Sequence, residues 1–321
     1  MRAVRYHSHG GPEVLQLDEV DRPEPTTGQV LVEVEAVGAN AIDALFRSGN
    51  SPWPRPLPGN LTGEVVGRIT RLGPGSPSHL AVGNRVAGVS EDAFADYVVL
   101  DTDFLAAIPE DADAGAATMM SMTGPLALRL LEAGRVPAGG TVLIQSAAGG
   151  VGHLAVQLAR SFDPKTIIGT ASSPARLDFI RSLGAEAVDL TDPDWPAQVR
   201  ALAPNGVDTV LDSIGGTVFD QGLDLVAPLG TMVTYGAISG ELPTIPVQAL
   251  FGMRSVTGVS MLGWRTARPA LARADIAEVT RRWQTGELQP AVHARHPLAA
   301  VQDLHRELDA RTPLGRLVAV P

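Results

Sequence analysis

The stretch TVLIQSAAGGVGHLAVQLAR, Thr141–Arg160, carries an apolar run into a cluster of very small residues and out into a second apolar run. The first run reads as a buried strand and the second, 150–161, as a helix. Between them stand Gly149, Gly150 and Gly152, with Ala147 and Ala148 before them and Val151 among them. Glycine loses more backbone freedom on folding than any other residue, so it is costly inside regular structure. Its clustering here implies that something comes very near the backbone. In Gly-x-Gly-x-x-Gly terms the pattern is Ala147-x-Gly149-x-x-Gly152, with alanine in the first place and Gly150 added. A strand-to-helix turn of this kind aims backbone N–H groups and a helix N-terminus at an anion, typically a dinucleotide pyrophosphate. Ala148, Gly149, Gly150, Val151 and Gly152 are therefore candidate cofactor-binding residues. The plainer alternative is a turn that only needs positive φ.

The context of the turn divides the chain. Before about residue 120 the texture is all-β: QVLVEVEAVG (29–38) sets Val30, Val32 and Val34 against Glu33 and Glu35, the period of a half-buried strand. Short strand candidates follow in GEVVGRITRLG, GNRVAGV and FADYVVL, separated by turn residues, which together suggest a small barrel. Pro52, Pro54, Pro56 and Pro58 mark a stiff loop. From 121 onward strands alternate with helices: TVLIQS, TIIGT, a short strand near Val188, VDTVLDS, TMVTYG and SVTGVSM. That alternation implies right-handed crossovers and a parallel sheet covered on both faces. Residues 298–310 read as an amphipathic helix, and LGRLVAV as a last strand able to rejoin the first domain. The fold class is α/β, with a β-barrel domain over 1–120 and 262–321 and a doubly wound domain over 121–261.

The second strand of the doubly wound domain reports on the cofactor. An acid about 20 residues past the glycines would bond the ribose 2′-hydroxyl of NAD. GTASSPAR has none; Ser172, Ser173 and Arg176 surround the strand end instead. Hydroxyls and a guanidinium suit a 2′-phosphate, so NADPH is favoured over NADH. Alternatively the serines cap the next helix and Arg176 is solvated. By position, Ser213 after the fourth strand of this domain and Tyr235, Gly236 and Ala237 after the fifth lie where nucleotides bind such sheets.

Composition narrows the class. The net charge of −10 argues against nucleic-acid binding, and the absence of cysteine excludes disulfides, thiol nucleophiles and Cys-ligated zinc. The opening MRAVRYHSHG lacks an apolar leader, and no run of about 18 apolar residues occurs, so a cytoplasmic protein with no membrane partner is expected. A single lysine, Lys165, leaves lysine mechanisms one candidate. Neither a Tyr-x-x-x-Lys pair nor a Gly-x-Ser-x-Gly elbow is present.

Several stretches together are similar to one family. VGANAIDALFRSG (37–49), LTGEVVGRITRLG (61–73), VGNRVAG (82–88), DAFADYVVL (92–100), SAAGGVG, VDTVLDSIGG (207–216) and the ending PLGRLVAV resemble the medium-chain dehydrogenase/reductase superfamily. Within it they resemble the zinc-independent quinone oxidoreductases, the zeta-crystallin-like group. The resemblance covers almost the whole chain. It implies a GroES-like catalytic domain interrupted by a Rossmann domain, hydride transfer from NADPH to a quinone or an α,β-unsaturated carbonyl, and a homodimer joined through the edge strand SVTGVSM. It implies that Asn40 lies near the nicotinamide ribose, with a turn residue ending the 29–38 strand as its plainer role, that Thr123 faces the nicotinamide, and that the backbone of Gly258 and Val259 meets its amide. Asp43 matches a family aspartate, with helix-start capping as its plainer role. An enoyl-thioester reductase and an NADPH-binding protein without turnover are the alternatives.

Two departures from the family pattern matter. Leu45 stands where related enoyl reductases and several quinone reductases carry a tyrosine, which removes an evident proton donor. Asp189-Leu190 stands where the family often places a tyrosine near the 2′-phosphate. No metal is expected: Pro58-Gly59-Asn60 replaces the Gly-His-Glu of zinc-dependent members, and His7, His9 and His79 have no ligand spacing.

Overall fold

The chain leaves its first structural unit twice. The computed structural model describes all residues from Met1 to Pro321 and groups Met1–Pro125, Ala270–Gln284 and Pro290–Pro321 in one unit, Leu126–Pro269 and Thr285–Gln289 in the other. Residues 121–125 thus pack with the first unit, and 262–269 and 285–289 with the second.

The first unit opens with strands β1 (Arg2–Tyr6), β2 (Leu15–Glu19) and β3 (Gln29–Gly38), helix α1 (Ala41–Ser48), then β4 (Gly59–Asn60), β5 (Gly63–Leu72), β6 (Arg85–Ser90), β7 (Tyr97–Asp101) and β8 (Ala106–Ala107). The longest strands, β3 and β5, are rich in β-branched residues, and they pair antiparallel along their length. On its other edge β3 pairs with β7 over Gln29–Glu33. A three-stranded sheet, β2-β1-β4, adds Val4, Tyr6 and Leu15 to the core made by Val30, Val32, Val65, Ile69, Val86 and Leu100. The short helix α2 (Ala114–Ala117) is capped by Asp113, whose carboxylate accepts the N–H of Ala116 at 2.7 Å. Helix α3 (Thr123–Gly134) then carries the chain out of the first unit.

The second unit alternates strand and helix as far as β13 and then passes to β14 without a crossover α-helix: β9 (Thr141–Ile144), α4 (Gly150–Ala159), β10 (Thr166–Ala171), α5 (Pro174–Ser182), β11 (Glu186–Asp189), α6 (Trp195–Leu202), β12 (Val207–Asp212), α7 (Gly216–Leu225), β13 (Val226–Thr234), β14 (Ser255–Gly258) and α8 (Met261–Ala267). All six strands are parallel, in the order β11-β10-β9-β12-β13-β14. This is the doubly wound order, and it reverses between β9 and β12, the place where such sheets bind ligands at their carboxyl ends. The inner strands are buried on both faces, as a covered parallel sheet requires: Leu143, Ile168, Val210 and Met232 are fully enclosed among Trp195, Phe219 and Leu223.

SVTGVSM does not continue as a strand to Met261. The strand ends at Gly258, because the Ser260 hydroxyl accepts the N–H of Gly263 and starts α8. Helix α9 (Pro269–Gln284) follows, then β15 (Val292–Pro297), α10 (Val301–Asp309) and β16 (Arg316–Val320). The final strand does rejoin the first unit: Val318 and Ala319 pair antiparallel with Gly38 and Val37 of β3, beyond the reach of β7. Residues Leu298–Ala300 form a tighter turn ahead of α10, whose Val301 and Leu304 are buried.

Candidate functional site

In the glycine-rich turn the left-handed residue is not a glycine. Ser146 has φ 53°, whereas Gly149, which precedes α4, is extended at φ −84°. The glycines serve close approach instead. A Cβ on Gly152 would overlap the Ser146 carbonyl oxygen and lie 2.7 Å from the Ala147 Cα, so the first turn of α4 rests directly on the loop backbone. Gly149 has no side chain with which to cap α4, so the N–H groups at the start of that helix stay open to an outside acceptor. Ala147 and Ala148 are fully buried beneath the turn.

One residue of this loop escaped the sequence reading. His153, completely buried, donates from Nδ1 to the Gly149 carbonyl at 2.8 Å. Burial pushes its pKa down to about 4 against the opposing pull of the Gly149 and Gly150 backbones, so the ring is neutral and ties the turn to α4. Its place directly after Gly-Gly-Val-Gly was the available signal.

Ser172, Ser173 and Arg176 gather beside the same turn. Ser173 occupies the N-cap of α5 in extended conformation, yet its hydroxyl makes no capping bond, so capping is not what this serine does. Arg176 lies largely buried, with Nη2 3.8 Å from where a Cβ of Gly149 would sit. The guanidinium is folded over the glycine turn rather than solvated. Asp189 is paired with Ala171 across β10 and β11, one strand away. Its Oδ1 accepts both the hydroxyl and the N–H of Thr191, at 2.7 and 2.8 Å, which hold the carboxylate below its usual range.

The candidates after β12 and β13 also meet. Tyr235 N–H donates to the Asp212 carbonyl at 3.0 Å, and Ile238 N–H to the Ser213 carbonyl at 3.0 Å. A Cβ on Gly236 would stand 3.3 Å from the Ser213 carbonyl oxygen, so the two strand ends nearly touch. The Tyr235 phenol is hydrogen-bonded with Ser213, and desolvation pushes its pKa up to about 12. Ala237 is buried. Asp212, buried at the end of β12, accepts the Ile214 N–H at 3.0 Å and shapes this corner; burial raises its carboxyl to about 6. Gly258 is exposed with open space at its Cβ position, and Val259 N–H bonds the Thr234 carbonyl at 2.9 Å. Glycine turn, serines, Tyr235 corner and Gly258 thus line the carboxyl ends of the parallel strands.

In the first unit, Asn40 occupies the N-cap of α1 but makes no capping bond with its side chain. Its Oδ1 instead accepts Nη1 of Arg316 at 3.0 Å. Arg316 Nη2 pairs with Glu64, and Glu64 in turn accepts the N–H groups of Met122 and Thr123 at 2.8 Å each and the Thr123 hydroxyl. Asn40 and Thr123, singled out separately, are therefore joined through two charged residues that sequence reasoning passed over. Burial pushes the Arg316 pKa down to about 10, which still leaves it charged at neutral pH. Asp43 does not cap α1; it spans to Thr62 and is buried, with its carboxyl raised to about 7 mainly by desolvation.

The residues do not fit a zinc ion. No group of three or more His, Asp or Glu side chains could hold a metal. His7 Nε2 is paired with Asp18 at 2.8 Å, His9 bonds the Arg47 carbonyl, and His79 is exposed.

Comparisons with known proteins show the family. Residues 26–110 match the alcohol dehydrogenase GroES-like domain, and residues 150–275 the family described as zinc-binding dehydrogenase. The chain is 31% identical to a quinone oxidoreductase of Pseudomonas aeruginosa, covering 100% of this chain and 99% of that one. It is 30% identical to a 2-haloacrylate reductase of Burkholderia sp, covering 99% and 98%. Among solved structures, a mycobacterial protein complexed with NADPH superposes with a TM-score of 0.93 at 32% identity over the full length of both chains.

Proposed function

Because the chain belongs to the medium-chain dehydrogenase/reductase superfamily, as an oxidoreductase of the quinone oxidoreductase type, we propose that it is an NADPH-dependent, zinc-free reductase of quinones or α,β-unsaturated carbonyls. The observation that carries this reading is the glycine turn with Arg176 lying over it. The N–H groups opening α4 suit a pyrophosphate, while Ser172, Ser173 and Arg176 suit a 2′-phosphate. Ser213, the Tyr235–Ala237 segment, Gly258 and Val259 would line the ribose and nicotinamide end. NADPH, when bound, supplies the hydride.

The chain's own residues then have little covalent chemistry to do. Asn40 offers an uncharged donor to an oxygen near the reacting ring, and Thr123 orients the nicotinamide. Leu45 holds no proton, and Asp43 is enclosed, so the proton that accompanies hydride transfer comes from water. In this reading the first unit is the catalytic domain and the second the nucleotide-binding domain. The missing zinc ligands are consistent with a reaction that polarises the acceptor by hydrogen bonds alone.

We also infer a homodimer through β14. This strand forms one edge of the six-stranded sheet, and Leu229, Val247, Phe251 and Met253 are all more than 60% exposed on the segments leading to it. No helix is long and apolar enough to cross a membrane. A cytoplasmic location is proposed on composition, and the net charge of −10 weighs against a nucleic-acid partner.

The deciding experiment is NADPH oxidation by the purified protein against a panel of small quinones, enones and enoyl thioesters. Turnover with quinones or enones is expected. Preference for enoyl thioesters would make the protein an enoyl reductase, and tight NADPH binding without turnover on any acceptor would make it a binding protein.

A further inference from the structure

Glu64 in β5 and Arg316 in β16 are both charged and both enclosed, 0% and 4% exposed. A buried ion pair generally returns less than its desolvation costs, so its retention calls for a reason other than stability. The bonds around Glu64 use both oxygens: Oε1 accepts the Met122 and Thr123 N–H groups, and Oε2 accepts the Thr123 hydroxyl and Arg316 Nη2. The other terminal nitrogen of Arg316 takes the oxygen of Asn40. Backbone space is set aside for this guanidinium: a Cβ on Gly38 would lie 2.5 Å from Nε of Arg316 and 2.8 Å from the Thr118 hydroxyl.

We propose that Arg316 and Glu64 are positioning residues that set the hydrogen-bonding polarity of Asn40 and Thr123. With Oδ1 held by Arg316, Asn40 can turn only its Nδ2 protons outward. With its hydroxyl proton given to Glu64, Thr123 presents an oxygen that can only accept. Whatever meets Asn40 must bring an acceptor, such as a hydroxyl or carbonyl oxygen. Whatever meets Thr123 must bring a donor, and a carboxamide N–H does so. The inference rests on the reading of Thr123 and Asn40 as residues that face the nicotinamide. It adds that this site selects for the N–H of the carboxamide, not merely for the shape of the ring.

The test compares NADPH with its reduced 3-acetylpyridine analogue, which keeps the carbonyl oxygen but has no N–H. Dissociation constants are measured for wild type and for the double variant Arg316→Met/Glu64→Met, which removes both charges together and so strands neither. In parallel, the side-chain NH2 resonances of Asn40, assigned by their loss in Asn40→Asp, are followed by 15N NMR without cofactor. Wild type should favour NADPH by about tenfold, the worth of one hydrogen bond. In the double variant that preference should collapse and the Asn40 resonances should shift. A wild type that binds both cofactors equally well, or a folded double variant that keeps either the preference or the wild-type Asn40 resonances, overturns the proposal. Should the double variant fail to fold, Arg316→Lys replaces it, since an ammonium cannot hold both partners in the planar fork. A wild type that does not bind NADPH would defeat the functional reading, and the Asn40 resonances in Arg316→Lys would then decide the clamp alone: no change from wild type overturns it.

Discussion

Both donors of Thr62 fall on a single oxygen of Asp43: its N–H and its hydroxyl each reach Oδ1 at 2.9 Å, while Oδ2 is buried without a partner. One oxygen is fully served and the other is desolvated for nothing. That imbalance is why burial wins over the two hydrogen bonds and the carboxyl rises from 3.8 to about 7.

Stability should therefore depend on pH through Asp43 in a definite direction. Between about pH 4 and about pH 7 the folded protein keeps a proton that the unfolded chain releases, so stability falls as pH rises through this window and levels off above it. Across the whole window the effect is at most about 4 kcal/mol, at roughly 1.4 kcal/mol for each pH step of one. Asp43→Asn keeps an oxygen for both Thr62 bonds and carries no titrating proton. Denaturant unfolding of the two proteins should give similar stability near the bottom of the window and a growing advantage for the variant towards neutrality. Asp212 titrates with the same sign but is present in both proteins, so it cancels from the comparison. Parallel stability curves would contradict the assignment.

Arg176→Ala tests the 2′-phosphate reading. A charge-assisted fork onto that phosphate is worth about 1.5–3 kcal/mol, roughly ten- to a hundredfold in affinity. The variant should lose that factor for NADPH and almost nothing for NADH. Added salt should weaken NADPH binding to wild type more than to the variant. Equal losses for both cofactors would mean that Arg176 acts by supporting the turn it lies over.

Two glycine substitutions should separate folding from binding. Gly152→Ala sets a methyl against the backbone of Ser146 and Ala147, which cannot yield as a side chain would. Its cost should be about 1–3 kcal/mol of stability or more, with nucleotide affinity falling alongside. Gly258→Ala meets nothing within 4 Å in the protein itself. Its melting temperature should match wild type, and any loss of NADPH affinity then reports contact between that backbone and the cofactor. Unchanged affinity would remove Gly258 from the site.

Zinc independence is checked by metal analysis. Protein purified without added zinc should carry well below one zinc per chain, and chelator treatment should leave turnover intact. Stoichiometric zinc whose removal abolishes activity would refute the zinc-free mechanism.

Light scattering tests the pairing inferred at β14. Wild type should have the mass of a dimer at micromolar concentration, and Phe251→Glu, which puts a charge on a side chain that is 78% exposed, should shift it towards monomer without loss of folding. A wild type that runs as a monomer would refute the dimer.

What the sequence determined by itself was whatever depends on neighbours along the chain. Period-two valines made β3, and the apolar run, glycines and apolar helix from Thr141 to Ala159 made the βα turn, because strand and helix periods are expressed within a few residues. The alternation that follows sufficed for the doubly wound sheet. Short-range reading went astray where a local bond intervened, as at Ser260, whose cap on Gly263 ended the SVTGVSM strand early. It also could not tell that Ser146, not a glycine, takes the left-handed conformation, because that is settled by how α4 packs on the loop. Only the tertiary structure decided the Asn40–Arg316–Glu64–Thr123 cluster. Asn40 and Arg316 are 276 residues apart and meet only because β16 returns to the free edge of β3 beside Gly38. A charged residue in a strand carries no local mark of whether it will face water or be enclosed with a partner. That outcome depends on which strand lies beside it, and strand pairing across such a separation is a property of the packed core rather than of any window of sequence.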